Sequence, residues 1–350
     1  MINSEFKGRG SQIKPNNPFS QTNYVKEHIE GLDEELIKPP KTQVFFETPK
    51  NIINKIDSPD LHFRYSVNPY QGCEHGCVYC YARNSHQYWG FDAGLDFESK
   101  IIVKKSASII LEKTLLQKSW KPSPVILSGN TDCYQPLEKK YKLTRQILEV
   151  FLKYRHPVGI ITKNTLVTRD IDVLSELAKL NLVHVFFSMN TLNEKLRNIM
   201  EPRTSSTSKK LKAMEKLTCA GIPVGVMNAP IIPGLNHHEI PAIIKSASEH
   251  GAKAAGYTVV RLNGSIGEIF SDWVTKKFPN RKEKILNQIA ELHGGQINDT
   301  VWKRRMSGSG EVATIIARLF QVSKERYLKN QNLPLLNTNL FRKGGNYQLF

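Results

Sequence analysis

The 350-residue chain has no long hydrophobic run. Its apolar stretches fall far short of the roughly 20 residues that cross a bilayer. Its start, MINSEFKGRGSQIKPNNPF, carries charges and prolines where a secretory leader has an apolar core. Paired cysteines are missing too. The five present, Cys73, Cys77, Cys80, Cys133 and Cys219, are odd in number and three of them crowd into eight residues, which argues against a disulfide scaffold. Acidic residues are in deficit: 32 Asp and Glu face 49 Lys and Arg, a net charge of +17 whose field attracts polyanions such as nucleic acid or anionic lipid. With 40% hydrophobic residues the chain can bury a sizeable core, so global disorder is excluded. A soluble, cytoplasmic protein of a reducing compartment, with no membrane partner, is expected.

Residues 1–60 are polar and rich in Lys, Asn and Pro, with Pro39, Pro40 and Pro49 as breaks. They are expected as a partly irregular N-terminal arm laid over a domain. From Phe63 onward, β-branched runs at 63–70, 124–129, 157–163, 182–190, 222–231 and 255–262 alternate with amphipathic stretches. Leu143, Ile147 and Phe151 mark one helix before His156 and Pro157, and Ile171, Leu174, Leu177 and Ala178 mark another after Thr168, read as its N-cap. Leu211, Met214 and Leu217 precede Gly221, and Ile240, Ile243, Ile244 and Ala247 precede Gly251. Apolar strands each followed by a helix predict a parallel sheet covered by helices. Six such units are too few for a closed eightfold barrel and fit an α/β fold, a partial (β/α)6 TIM-like barrel over 61–264, although a doubly wound sheet has the same local signature. Residues 265–335, with helical patterns at 281–293 and 310–328, are expected as a C-terminal helical appendage and 336–350 as a flexible tail. In either architecture chemistry belongs at the carboxyl ends of the strands.

After the first strand comes GCEHGCVYCYARN, with Cys73, Cys77 and Cys80 spaced C-x3-C-x2-C. Soft thiolates suit an iron–sulfur cluster or zinc. A structural zinc needs four ligands, and His75 or His86 could complete one. A cubane held by three thiolates instead leaves one iron open. Gly72 and Gly76 fit a loop bent tightly round a cluster.

This loop, with Tyr79 just before the last cysteine, resembles the radical S-adenosylmethionine superfamily. The resemblance implies a [4Fe–4S] cluster on Cys73, Cys77 and Cys80 whose open iron chelates S-adenosylmethionine, and reductive cleavage to a 5′-deoxyadenosyl radical that abstracts hydrogen from a substrate. Segments SGNTDCYQP (128–136), TK (162–163), FSMN (187–190), EPRTSS (201–206) and NAPIIPG (228–234) resemble the branch of spore photoproduct lyase and its DNA-repair photolyase-like relatives over residues 60–330.

The residues at the strand ends are read accordingly. Asn130, Thr131 and Asp132 offer polar groups to a cationic amine, the methionyl end of the cofactor by resemblance, or form an ordinary Asx turn. Lys163 ends an apolar strand where a charge is costly unless paired; the resemblance pairs it with the cofactor carboxylate. Ser188 and Asn190 resemble residues that bond the carboxylate or ribose, although a barrel-interior Ser is equally structural. By resemblance Tyr79 packs by the adenine, while Ala229 and Pro230 leave a flat surface for it. Arg203 is a candidate for the carboxylate or a substrate phosphate, or a solvated surface residue. Cys133 is a candidate catalytic thiol that returns a hydrogen atom to a product radical, although the branch's cysteine precedes its TSD-like segment whereas Cys133 follows NTD; its plainer reading is a small, partly buried side chain. Cys219 is expected in the core, and His237 and His238 at a helix start. His62, His75 and His86 are expected around the cluster without an assigned ligand.

Lys276, Lys277, Arg281, Lys282, Lys284, Lys303, Arg304, Arg305 and Arg318, interleaved with Trp273, Phe278, Trp302 and Tyr327, read as a phosphate-tracking surface with stacking platforms or as solvated helix faces. The terminal residues 346–350, NYQLF, imperfectly resemble sliding-clamp-binding peptides. Expected partners are thus a nucleic-acid substrate, a reductant such as flavodoxin or ferredoxin, and a sliding clamp through the tail. A radical enzyme acting on a protein or small molecule, and a non-catalytic metal-cluster nucleic-acid-binding module, are the alternatives.

Overall fold

The computed structural model describes residues 6–20, 41–61 and 63–344, so His62 and the clamp-like peptide 346–350 lie outside the described residues. Six parallel strands form the frame: β1 (Tyr65–Val67), β2 (Val125–Leu127), β3 (Val158–Thr162), β4 (Val183–Ser188), β5 (Val224–Ile231) and β6 (Ala254–Val259). They lie side by side in chain order, and an antiparallel strand, Ile53–Lys55, borders β1. Sequential order decides between the two architectures left open by the sequence, because a doubly wound sheet reverses its order at a switch point. β6 does not pair with β1, so the barrel formed by the described residues is partial and open.

Helices Ala107–Leu115, Leu143–Lys153, Ile171–Lys179, Thr207–Cys219 and Ile240–Glu249 connect successive strands. Their apolar faces meet the sheet because the side chains recur at helical spacing. Leu148, Phe151, Leu174, Leu177, Met214 and Leu217 are buried against Val125, Leu127, Val158, Ile160, Val183, Val185 and Phe187 in one core. Each such side chain stabilises by about 1.5–3 kcal/mol on burial, and Phe151→Ala would cost about 3–5 kcal/mol. The strand glycine Gly225 admits a neighbour: a Cβ there would lie 2.4 Å from the Phe186 ring. Two local expectations are corrected. Thr168 bonds the Thr165 carbonyl inside a 3-10 turn, and the helix after it starts at Ile171 with Asp170 as its N-cap. Cys219 is exposed, because it lies two residues, about 200° of helix, past the buried Leu217.

The N-terminal arm is tied into the domain. Gln43–Phe46 pairs in parallel with Lys100–Val103, and Tyr70–Gln71 completes a small sheet. Ahead of it, the backbone N–H groups of Gly10 and Ser11 donate to the Glu98 carboxylate at 3.0 and 2.8 Å. Beyond β6 the chain forms a helix not expected from the sequence, Ser265–Lys277, before Lys282–Leu292 and Gly310–Tyr327. The tail is docked as far as it is described: Asn337 N donates to Asn181 O at 2.9 Å, Arg342 N to Tyr154 O at 3.0 Å, and Phe341 meets the edge of His156. Among the described residues no helix is long and apolar enough to cross a membrane.

Candidate active site

The carboxyl ends of β2 to β6 and the loop after β1 enclose a cavity of about 350 Å³. Its wall brings together Cys73, Cys77, Cys80, His75, Tyr79, Asn130, Thr131, Asp132, Lys163, Ser188, Met227, Ala229 and Pro230. Almost every residue singled out at a strand end therefore reaches one space. The exceptions are Asn190, Arg203 and Cys133.

The cysteine loop is held from beneath by a buried ion pair. Arg83 donates to Glu98 at 2.5 Å, to the Cys77 carbonyl at 2.9 Å and to the carbonyls of Ala93 and Gly94. Gly72 and Gly76 take φ of +80° and +68°, the left-handed backbone the bend requires. All three thiols are free of disulfides. Burial pushes the Cys77 thiol well up and the Cys80 thiol to about 11, so a cationic centre is needed to hold them as thiolates. Among the described residues no three His, Cys, Asp or Glu side chains converge on a single ion. Three thiolates are the donor set by which a cubane cluster keeps one iron open, whereas a structural zinc takes four ligands. Of the two histidines near the loop, His75 is engaged, whereas both His86 ring nitrogens are buried without a hydrogen-bond partner among the described residues. His75 Nδ1 lies 3.4 Å from Asp132 and its Nε2 is 3.3 Å from Asn164 Nδ2, while His86 is enclosed by Phe91 and Phe97.

Asp132 is a hub. Its carboxylate accepts from Thr162 Oγ1, Lys163 N and Tyr134 N, each at 2.8 Å. Burial would raise its pKa, but His75 and these donors hold it below the usual range. Burial alone would lower the His75 imidazole, yet Cys73 and Asp132 raise it to about 10. Thr131 Oγ1 donates to the Tyr70 carbonyl at 2.7 Å, and Asn130 Nδ2 donates to Gln71 and Ser85.

Lys163 ends β3 and extends its ammonium to Ser188 Oγ at 2.7 Å and Glu201 at 3.0 Å. Glu201 is a partner that the strand-end motifs did not mark, although Arg203 two residues on was singled out. It is fully buried, faces Lys210 at 3.6 Å and accepts a hydrogen bond from the Tyr79 hydroxyl. Burial would raise the Glu201 carboxyl, but Lys163 and Lys210 bring it down to about 2. For Lys210 burial outweighs Glu201 and lowers its pKa; the closer Lys163 is raised. Asn190 Nδ2 donates to the Tyr79 hydroxyl at 3.1 Å, so it braces the ring from behind instead of reaching into the cavity.

Arg203 is corrected: it stands outside the cavity with its guanidinium 3.5 Å from Glu74. Cys133 is corrected as well. It is fully buried in the hydrophobic core with Leu148 and Ile147, its N–H donates to Ser128 Oγ at 2.7 Å, and it does not line the cavity. A thiol sealed in that core cannot meet a substrate radical. The expected stacking surface is reduced too. Trp273 is buried and donates to the Ile199 carbonyl, Phe278 packs on it, Arg304 pairs with Asp299 and Arg305 with Asp60.

The mouth carries Arg305, from the basic stretch, and three residues that the sequence did not mark: Tyr81, Arg261 and Met306. Tyr81 is half exposed and donates to the Gly129 carbonyl at 2.8 Å. Arg261 sits 5.7 Å from its ring centroid, and Arg305 lies 3.8 Å over the exposed Trp302.

An uncharacterised protein of Mycobacterium bovis is 32% identical over 247 residues, 70% of this chain and 72% of its own. One of Methanocaldococcus jannaschii is 27% identical over 248 residues, 71% of this chain and 89% of its own. The fold is similar to spore photoproduct lyase complexed with dinucleoside spore photoproduct, with a TM-score of 0.58 at 15% identity, covering 82% of this chain and 80% of the lyase. The family model described as the radical SAM superfamily matches residues 67–247, which include all three cluster cysteines. Catalysis in this family uses a [4Fe–4S] cluster with S-adenosylmethionine, for which Cys73, Cys77 and Cys80 would supply the ligands, and the chain belongs to the radical SAM superfamily.

Proposed function

We propose that this radical SAM protein abstracts hydrogen from a nucleic-acid substrate, with a damaged base as the narrower form of the reading. When bound, the cluster and S-adenosylmethionine supply a 5′-deoxyadenosyl radical. The chain's own residues do the rest. Lys163 and Ser188 offer a cation and a hydroxyl to the cofactor's carboxylate, and Ala229 and Pro230 offer a small, flat surface to its adenine. Tyr79 closes the wall between them, fixed by Glu201 and Asn190.

The observation that carries the substrate class is Arg261. Among the described residues its guanidinium has no hydrogen bond and no ion pair, and it rests against the Tyr81 ring. Burial pulls its pKa down, so a half-buried cation stands at the mouth without a bonded counter-charge. A phosphodiester would supply that charge in bidentate geometry. Tyr81, and Trp302 beneath Arg305, would supply faces for bases.

The test is deuterium transfer from perdeuterated oligonucleotides, lesion-bearing and intact, into 5′-deoxyadenosine. Label is expected with the wild type. Arg261→Met should raise KM by about tenfold or more, since a charged hydrogen bond contributes about 1.5–3 kcal/mol, with a smaller change in kcat. Label arriving from peptides or small molecules but from no oligonucleotide would favour the second reading, in which the same radical modifies a protein or metabolite.

A further inference from the structure

We propose that a cationic notch behind the cysteine loop is the docking surface for an acidic one-electron carrier protein. The notch has a volume of about 190 Å³ and is lined by Lys7, Arg9, Lys276 and Lys277 over a floor of Ile199, Pro202 and Trp273. Among the described residues no carboxylate lines it. Asp272 pairs with Lys276 at 2.8 Å from one turn away on the same helix.

Its position gives it meaning. Gly10, at the notch edge, lies so close to the cysteine loop that a Cβ there would stand 1.7 Å from the Gly76 carbonyl oxygen. Val78 N donates to the Met200 carbonyl at 3.1 Å and Arg203 N to the His75 carbonyl at 3.3 Å. Residues 75–78 are therefore backed by a single layer of chain, residues 8–10 and 198–203, whose outer side is the notch. The inner side of the same loop faces the cavity. Cofactor and substrate fill that cavity during turnover, so an electron delivered to the loaded site has to come from behind. The step is a bare electron transfer: the carrier is oxidised by one electron, the cluster is reduced by one, and no proton or group moves. A concave cluster of like charges on a chain of net charge +17 steers an acidic partner to this face and sets its orientation.

The test uses the full-length chain reconstituted with its cluster and reduced flavodoxin as the acidic carrier. Two quantities are read: the dissociation constant by calorimetry and the oxidation rate of flavodoxin by stopped flow. At low salt the double variant Lys7→Glu/Lys276→Glu should weaken both by about tenfold or more and lose their salt dependence, while reduction by dithionite stays unchanged. Wild-type binding should weaken as ionic strength rises. The proposal is overturned if the double variant accepts electrons at the wild-type rate, or if Arg261→Glu at the cavity mouth slows transfer while the double variant does not. Should the charge reversal fail to fold, Lys7→Gln/Lys276→Gln carries the same comparison, and wild-type binding indifferent to salt overturns the proposal by itself.

Discussion

The Lys163 ammonium stands 3.0 Å from the Glu201 carboxylate, and of this pair only the lysine reaches the cavity wall. Glu201 also faces Lys210 and takes the Tyr79 hydroxyl, so one buried carboxylate sets two lysines and the ring between Cys77 and Cys80. Breaking a buried pair costs more than the pair contributes, because the remaining charge is stranded. Glu201→Ala should lose about 3–5 kcal/mol of stability in urea titration. Adding Lys210→Met should recover part of that loss, since it removes one stranded ammonium.

Acid should weaken the fold in two stages. His156 lies in the core beside Trp120 and Phe151, and burial lowers its pKa from 6.5 to about 4. A neutral buried imidazole leaves the unfolded chain as the better proton acceptor. Stability should therefore fall as pH drops from 6.5 to 4, by up to about 1.4 kcal/mol per pH unit from this residue. Glu201 follows with its pKa depressed from 4.5 to about 2: its contribution is complete above pH 4.5 and disappears as pH falls through 2. Urea midpoints across this range check both stages; His86, which burial also lowers to about 4, shares the first, so His156→Gln should lessen its slope while leaving the second.

Much of this was legible in the chain. The six strands and their helices declare themselves through apolar runs and helical spacing, since each element buries one face on its neighbours. The cysteine loop is legible because three thiols at short spacing have few other uses. Ser265–Lys277 was obscured by Gly267, which looks like a break but admits Ile297, 2.9 Å from where a Cβ would lie. Glu201 opens the EPRTSS segment, but its role carries no local signal: its partners Lys163 and Lys210 meet it only once β3 and β4 are side by side. Cys133 misled for the opposite reason. Proximity to Asp132 in sequence suggested the cavity, but the turn sends consecutive side chains to opposite sides.

Cys133→Ala tests that last point. With the thiol in the core beside Ile147 and Leu148, the variant should lose about 1 kcal/mol of stability and keep full formation of 5′-deoxyadenosine and product. Failure to complete product, with cofactor cleavage intact, would restore the thiol as a hydrogen donor.

The turn over the cysteine loop offers a paired comparison. A methyl at Gly10 collides with the Gly76 backbone, whereas Gly8, at φ +76°, faces open space. Gly8→Ala should cost only backbone strain, about 1–2 kcal/mol. Gly10→Ala should cost more and should speed the loss of cluster absorbance on exposure to air, because it lifts the backbone layer away from residues 75–78.

Cys73, Cys77 and Cys80 would hold the cluster that drives cleavage of S-adenosylmethionine in the cavity beside Lys163. The measurement is release of 5′-deoxyadenosine by the anaerobically reconstituted chain after reduction, with iron determined on the same sample. The expected result is about four irons per chain, as the cubane requires, and steady release of 5′-deoxyadenosine, both abolished by Cys77→Ala. A wild-type chain that binds tight zinc and releases no 5′-deoxyadenosine would contradict it.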